Sequence, residues 1–187
     1  RKELFQQESK WKDEGYQSLH WPRIPYHDPE DESTEPDVEG SGDELRFIRR
    51  DRLLRNIELC SLDTRTGDST VLIEEGFEGA NIAPKSVRYL KKRNEMVWWS
   101  ERSGWGHYYL YSMDGKLKNP ITSGIFRASQ IVDVDEDKGL LYFKGNGREP
   151  GENIYFQHLY SIFLDGTDLT LLDPSDANHR SVLSPTK

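Results

Sequence analysis

A chain of 187 residues with 34% hydrophobic and 31% charged residues is lean for a self-contained core, although 11% aromatics compensate in part because each buries a large area. The net charge of -8 is concentrated: residues 28–44 hold nine acidic side chains and no Lys or Arg, leaving about +1 on the rest and disfavouring a general nucleic-acid-binding role. One cysteine, Cys60, excludes an intrachain disulfide and any multi-cysteine zinc or iron–sulfur site.

Residues 1–21 place Leu4 and Trp11 seven apart among charged and Gln positions, which predicts a short helix over 2–14 ended at Gly15. From Trp21 to Glu44 come four prolines, the acidic run and Gly-Ser-Gly, a composition that cannot bury apolar surface and reads as a linker. Its carboxylates lack the alternating ligands, turn Gly and terminal Glu of an EF-hand loop, so a solvated loop is the stronger reading than a calcium site. No apolar run approaches the ~18 residues of a membrane span.

After Glu44 the texture becomes short β-type runs: LRFIRRD, NIELCSLD and STVLIEE, then KSVRYLKKR, EMVWWSE, HYYLYSM and LKNPIT, then SQIVDVDED, GLLYFKG, QHLYSIFL and TLLD. Asp114-Gly115 and Asp165-Gly166 are strong hairpin signals, because Gly accepts the positive φ of a tight turn. His107, Tyr109, Asp114 and Gly115 recur 51 residues later as His158, Tyr160, Asp165 and Gly166. The pairs Phe47-Ile48, Trp98-Trp99 and Tyr142-Phe143 occupy matching places in three units. A four-strand unit every ~40–50 residues is the sequence form of a β-propeller blade.

The expected fold is therefore all-β, a partial β-propeller of four-stranded antiparallel blades. Residues 1–44 form an N-terminal helix and linker. Residues 45–187 hold the propeller, with units at 45–76 (its last three strands), 85–124 and 128–173, and HRSVLSPTK at 179–187 starting another. Propellers close as rings of four to eight blades, so the natural protein is expected to be longer, or to associate with other chains, copies of itself included.

The sequence offers few groups for chemistry. No G-x-S-x-G elbow, H-E-x-x-H, phosphate-cradling loop or G-x-G-x-x-G occurs, and nothing calls for a cofactor or metal. His107 and His158 are equivalent repeat positions, which favours structural roles. Glu74-Glu75 could clamp an amine but fits a polar strand end better, and Arg46, Arg49, Arg50, Arg52 and Arg55 fit a solvated strand face better than an anion site. Strand alternation sends neighbouring aromatics among Trp98, Trp99, Trp105, Tyr108, Tyr109 and Tyr111 to opposite faces, so most pack in a core. The 146–152 segment NGREPGE is longer than the matching turn at 103–106, and loops beyond hairpin length often serve function. The neighbouring ENIYFQ at 152–157 partly resembles a site-specific protease tag, but the repeat continues through it.

WWSERSGWGHYYLYSMDGKLKNPITSG and VDVDEDKGLLYFKGNGREPGENIYFQHLYSIFLDG together resemble the propeller domain of dipeptidyl-peptidase IV-like serine peptidases of the prolyl oligopeptidase family, bacterial forms above all. RDRLLRNIELCSLDTRTGDSTVLIEEG is similar to the preceding blade, while residues 1–44 show no match. The resemblance implies a propeller capping an α/β-hydrolase domain in a secreted or periplasmic enzyme that removes dipeptides from peptide N-termini by a Ser-Asp-His mechanism. It implies that this portion gates and positions peptide substrate and carries no catalytic residue. The family's amine-clamping Glu pair lies in a Trp-containing segment that Glu74-Glu75 lacks. The 76–84 loop occupies the place of a loop lining the substrate cleft, which makes Phe77 and Asn81 the substrate-side candidates. The alternative is a stand-alone propeller-like interaction module.

Overall fold

The computed structural model describes residues 19–20, 43–51, 55–77 and 87–184. The predicted helix over 2–14, most of the acidic linker, Arg52 and Asn81 lie outside the described residues. Among the described residues, twelve strands form three four-stranded antiparallel sheets, each a blade. The first has the order β1-β2-β3-β4, from Leu19–His20, Glu44–Arg50, Asn56–Asp63 and Ser69–Gly76. The second runs β5-β6-β7-β8, from Arg88–Leu90, Glu95–Ser100, His107–Ser112 and Leu117–Pro120. The third runs β9-β10-β11-β12, from Arg127–Asp135, Leu140–Asn146, Gln157–Phe163 and Thr170–Leu171. The chain divides into two compact units, Arg1–Ser86 with Asp114–Lys116 and Val87–Met113 with Leu117–Lys187.

In the first unit the sheet has one strand more than expected. Leu19 pairs with Arg49 and His20 with Ile48, so two residues between the predicted helix and the linker serve as a strand. Phe47, Cys60 and Leu62 form its small core, with Leu45 packed against them. Arg46 and Arg49 do not belong to a solvated face, whereas Arg55, beyond the strand, is exposed. Arg46 is buried and pairs with Glu44 at 2.9 Å, and Arg49 pairs with the buried carboxylate of Glu58. Long guanidinium side chains cover apolar sheet while their heads find carboxylates, which alternation alone does not reveal. Asp51 closes the turn after β2, accepting the backbone N–H of Arg55 at 2.8 Å and of Asn56 at 3.2 Å. Burial raises its pKa, but the Asn56 side-chain amide, 2.8 Å from Oδ2, together with these backbone donors outweighs burial and holds the carboxyl below its ordinary range.

The second unit has one continuous core drawn from both of its blades: Leu90, Val97, Trp99, Tyr108 and Leu110 pack with Phe126, Leu141, Phe143, Tyr160 and Ile162. Phe143 and Tyr160 stack with centroids 5.4 Å apart. Cross-strand register sets Phe143 opposite Tyr160 and Trp98 opposite Tyr109. The structural equivalent of Phe143 is therefore Trp98, one residue away from the match expected between Trp98-Trp99 and Tyr142-Phe143. A one-residue slip exchanges the two faces of a strand. The turn after β10 is also longer than that after β6, so the 51-residue shift holds for β7 and β11 but not for the strands before them.

Three kinds of tie join these two blades. Trp99 Nε1–H donates to Ala128 O at 2.7 Å, the Lys92 backbone N–H donates to Glu136 Oε2 at 2.8 Å, and Asn119 Nδ2–H donates to Leu164 O at 2.9 Å. Gly115 and Gly166 have φ of 85° and 90°, the left-handed values their Asp-Gly turns require. Residues 179–184 form no strand. A strand needs a ladder partner. This stretch is spent instead on the end of β11, where His179 N–H donates to Gln157 O at 3.2 Å and Gln157 N–H to Asn178 Oδ1 at 3.0 Å.

Candidate functional site

In an up-and-down meander, successive turns fall at alternate ends of the blade. In the second unit the loops at 101–106, 121–126 and 147–156, with the run leaving β12, share one end. The turns at 91–94, 136–139 and 164–169 share the other. The candidate site is the first end, and its centre is the polar cluster beneath the 147–156 loop.

His158, 3% exposed, is the hub. Its Nε2 lies 2.7 Å from Glu152 Oε2, and its Nδ1 lies 3.4 Å from the carbonyl oxygen and 3.5 Å from Oδ1 of Asp173. Asp173 also accepts Leu159 N–H at 2.8 Å and the Ser181 hydroxyl. Beside it, Tyr160 donates its hydroxyl to Glu149 Oε1 at 3.1 Å, and Arg148 reaches the same oxygen at 2.7 Å. Burial, reinforced by the Glu149 carboxylate, holds the Tyr160 phenol well above its ordinary pKa. Two loop carboxylates are thus anchored to two side chains of β11, and the loop is pinned at both places.

The repeat equivalent, His107, is 1% exposed and has different partners. Its Nε2–H donates to Gly124 O at 3.0 Å. Thr122 Oγ1 accepts Tyr108 N–H at 3.0 Å, which leaves its hydroxyl proton for His107 Nδ1, also at 3.0 Å. Every polar atom is satisfied by a neutral ring, and burial holds its pKa below the ordinary value. One repeat position has become a neutral strut and the other an anchor for carboxylates.

In both arrangements the ring nitrogens already have protein partners. Ser175 Oγ and His179 Nε2 stand 2.8 Å apart, with Ser175 exposed and His179 half-buried, and the nearby Asp173 is committed to Leu159, Ser181 and His158. Among the described residues no group of three or more His, Cys, Asp or Glu is placed to hold a metal. In the first unit, a cavity of ≈ 400 Å³ is lined by Asp43, Glu44, Asp63 and Asp68 with the hydroxyls of Ser61, Thr66 and Thr70. Two of its four carboxylates are occupied: Glu44 accepts from Ser61 and Arg46, and Asp63 from the N–H groups of Arg65 and Thr66.

Of the substrate-side candidates, Phe77 is half-buried just after β4, its N–H donating to Arg55 O at 2.9 Å, and Asn81 lies outside the described residues. Glu74 is exposed while Glu75 is buried, so adjacent carboxylates point to opposite faces and cannot act as one clamp. Trp98, Trp99, Tyr108, Tyr109 and Tyr111 are all buried, leaving Trp105 as the exposed member of the aromatic group. Sequence reasoning missed the His158 cluster because its acids come from the loop at 149–152 and from Asp173, and only β11 brings them to one place.

The family model for the dipeptidyl peptidase IV (DPP IV) N-terminal region matches residues 34–187. The chain belongs to this family. Two relatives of the DPP IV N-terminal region in this chain are the dipeptidyl peptidase 4 of Trichophyton equinum, 27% identical over 134 residues, and that of Arthroderma otae, 28% identical over 134 residues. In both, the match covers 70% of this chain and 17% of the relative, so the chain spans under a fifth of their length. The crystal structure of Porphyromonas gingivalis dipeptidyl peptidase 4 superposes with a TM-score of 0.58 at 19% identity, covering 72% of this chain and 18% of that one. That likeness shows the fold, and the blades are those of a DPP IV propeller. Among the described residues no helix is long and apolar enough to cross a membrane.

Proposed function

We propose that this chain is the non-catalytic propeller portion of a dipeptidyl-peptidase IV-like serine peptidase, and that it gates and helps position peptide substrate for an α/β-hydrolase domain elsewhere in the parent polypeptide. The observation that carries the reading is the family match over residues 34–187 of a chain built from antiparallel blades. The relatives, five to six times longer than the matched region, have room for the hydrolase domain. The chemistry of the described side chains fits a non-catalytic part, since the buried acids and histidines are spent on holding loops. A periplasmic or extracellular location belongs to the same reading.

The test is turnover of a chromogenic dipeptide substrate with Pro at its second position. The 187-residue chain should release no chromophore, while the full-length protein should do so and lose activity to a serine-directed phosphonate. Serine-dependent turnover by this chain alone would overturn the non-catalytic assignment. A full-length protein inert to every dipeptide substrate would overturn the peptidase assignment.

A further inference from the structure

Asn146 is the last residue of β10, and it is the only asparagine of the sequence that precedes a glycine. Every other asparagine precedes Ile, Glu, Pro or His. An asparagine carries an electrophile, its side-chain amide carbon Cγ, within reach of a nucleophile, the backbone nitrogen of the next residue. Glycine presents that nitrogen with no side chain beside it. A branched neighbour crowds the approach, and proline has no N–H to lose.

The surroundings leave this nucleophile available. Among the described residues no protein acceptor takes the Gly147 N–H. Gly147 has a φ of 82°, and the space a side chain would fill there holds nothing nearer than Ile154 O at 3.9 Å. The Asn146 side chain is also part of what holds the 147–156 loop: its Nδ2–H donates to Ile154 O at 3.1 Å, and Asn153 Oδ1 accepts Tyr155 N–H at 3.0 Å on the same turn. An extended residue holds the following nitrogen away from its own Cγ, so a reaction between them proceeds through openings of the strand end.

We propose that Asn146 is a site of spontaneous deamidation, and that its conversion unfastens the 147–156 loop. Gly147 N gives its proton to solvent base and attacks Asn146 Cγ. The new N–C bond forms, the Cγ–Nδ2 bond breaks, and the leaving nitrogen departs as ammonia after taking up a proton. Water then opens the succinimide at one carbonyl to give aspartate, or at the other to give isoaspartate, whose backbone runs through Cγ. The net change is one water consumed and one ammonia released. Either product puts a carboxylate where the amide donor stood, so Ile154 O loses its hydrogen bond and faces a negative charge instead. Isoaspartate also adds a backbone atom at the position that pairs with Gln157 on one side and Arg127 on the other. The loop is then left to its Glu149–Tyr160 and Glu152–His158 anchors.

Warm incubation of the folded 187-residue chain at pH 8, with each asparagine followed by mass-spectrometric sequencing, tests it. Position 146 should gain aspartate and isoaspartate at least about tenfold faster than Asn153, which lies in the same loop but precedes a branched residue. Asn146→Gln should abolish the conversion, because closure would then need a six-membered imide. The urea-unfolded chain is the control for intrinsic reactivity. No acid at 146 in the folded chain, over a time in which the unfolded chain converts, would overturn the site, and so would equal conversion at Asn146 and Asn153. The second half is read on Asn146→Asp, which is the product itself. Its amides at 153–156 should exchange hydrogen at least about threefold faster than in the parent chain, while those at 158–163 keep their rates. Unchanged exchange at 153–156 would overturn the release of the loop.

Discussion

The indole N–H of Trp99 donates to the carbonyl oxygen of Ala128 at 2.7 Å, with both residues buried, whereas the indole nitrogen of its neighbour Trp98 is buried with no hydrogen-bond partner. Adjacent residues of one strand thus hold opposite accounts of the same donor. Trp99→Phe strips a buried carbonyl of its donor, while Trp98→Phe removes a donor already orphaned. Both lose similar ring area. Trp99→Phe should therefore cost at least about 1 kcal/mol more than Trp98→Phe in urea unfolding followed by far-ultraviolet circular dichroism. Equal costs would mean that the Trp99 bond does not form in solution.

The His107 ring predicts a pH dependence with a definite sign. Its folded pKa is depressed by burial below the ordinary 6.5, so below that value the unfolded chain takes up a proton that the folded ring refuses. The stabilisation is complete above pH 6.5 and is lost as pH falls towards the folded pKa. Glu95 adds a later loss. Burial raises its pKa, but Lys118 and Arg93 outweigh burial and lower it below 4.5, so its contribution persists until pH falls past that range. His107→Gln should lower stability at pH 7.5 and flatten the unfolding-midpoint profile as pH falls below 6.5. An unchanged slope would show that the decline in that window has another source.

Cys60, the one cysteine of the sequence, is 1% exposed and its thiol is pushed up to about 11, chiefly by burial. Thiolate is the reactive species. At pH 8 the folded chain should react with a disulfide reagent at least about a hundredfold slower than the urea-unfolded chain, as followed by thiolate release at 412 nm. Rapid labelling of the native chain would place the first blade's core open to solvent.

Glu58 and Arg49 form an ion pair whose side chains are 3% and 14% exposed. Removing one partner strands the other, so Arg49→Met alone should cost about 3 kcal/mol, while Arg49→Met with Glu58→Leu should recover most of the loss. A double-mutant cycle on the unfolding midpoint gives the coupling. Additive losses would show that the pair contributes through packing alone.

How far the sequence carries these arguments depends on the range over which each signal acts. The Asp-Gly turns and the alternating runs are local: a tight turn needs positive φ at Gly115 and Gly166 whatever surrounds it, and the blades follow. Strand β1 was not legible, because two residues, Leu19 and His20, have no periodicity of their own and pair with partners on the far side of the acidic run. The arginines of β2 misled for a related reason: their burial depends on Glu44 and Glu58, one on the same strand and one on the next. At the candidate site, the residues around His158 were visible singly as a repeat histidine and a long loop. Their convergence was not, since Glu152 and Asp173 lie on either side of β11 and meet only through its folding.

The ties between the blades of the second unit run through the Trp99 indole, the Lys92 amide and the Asn119 amide, and they leave no layer free to slide. Shearing one blade past the other would break all three together, along with the shared aromatic core. These two blades therefore melt as a pair. A chimaera that joins this propeller to another should keep its crossover outside residues 87–171, because a splice at 121–126 would divide a single cooperative element and leave both halves with an open seam.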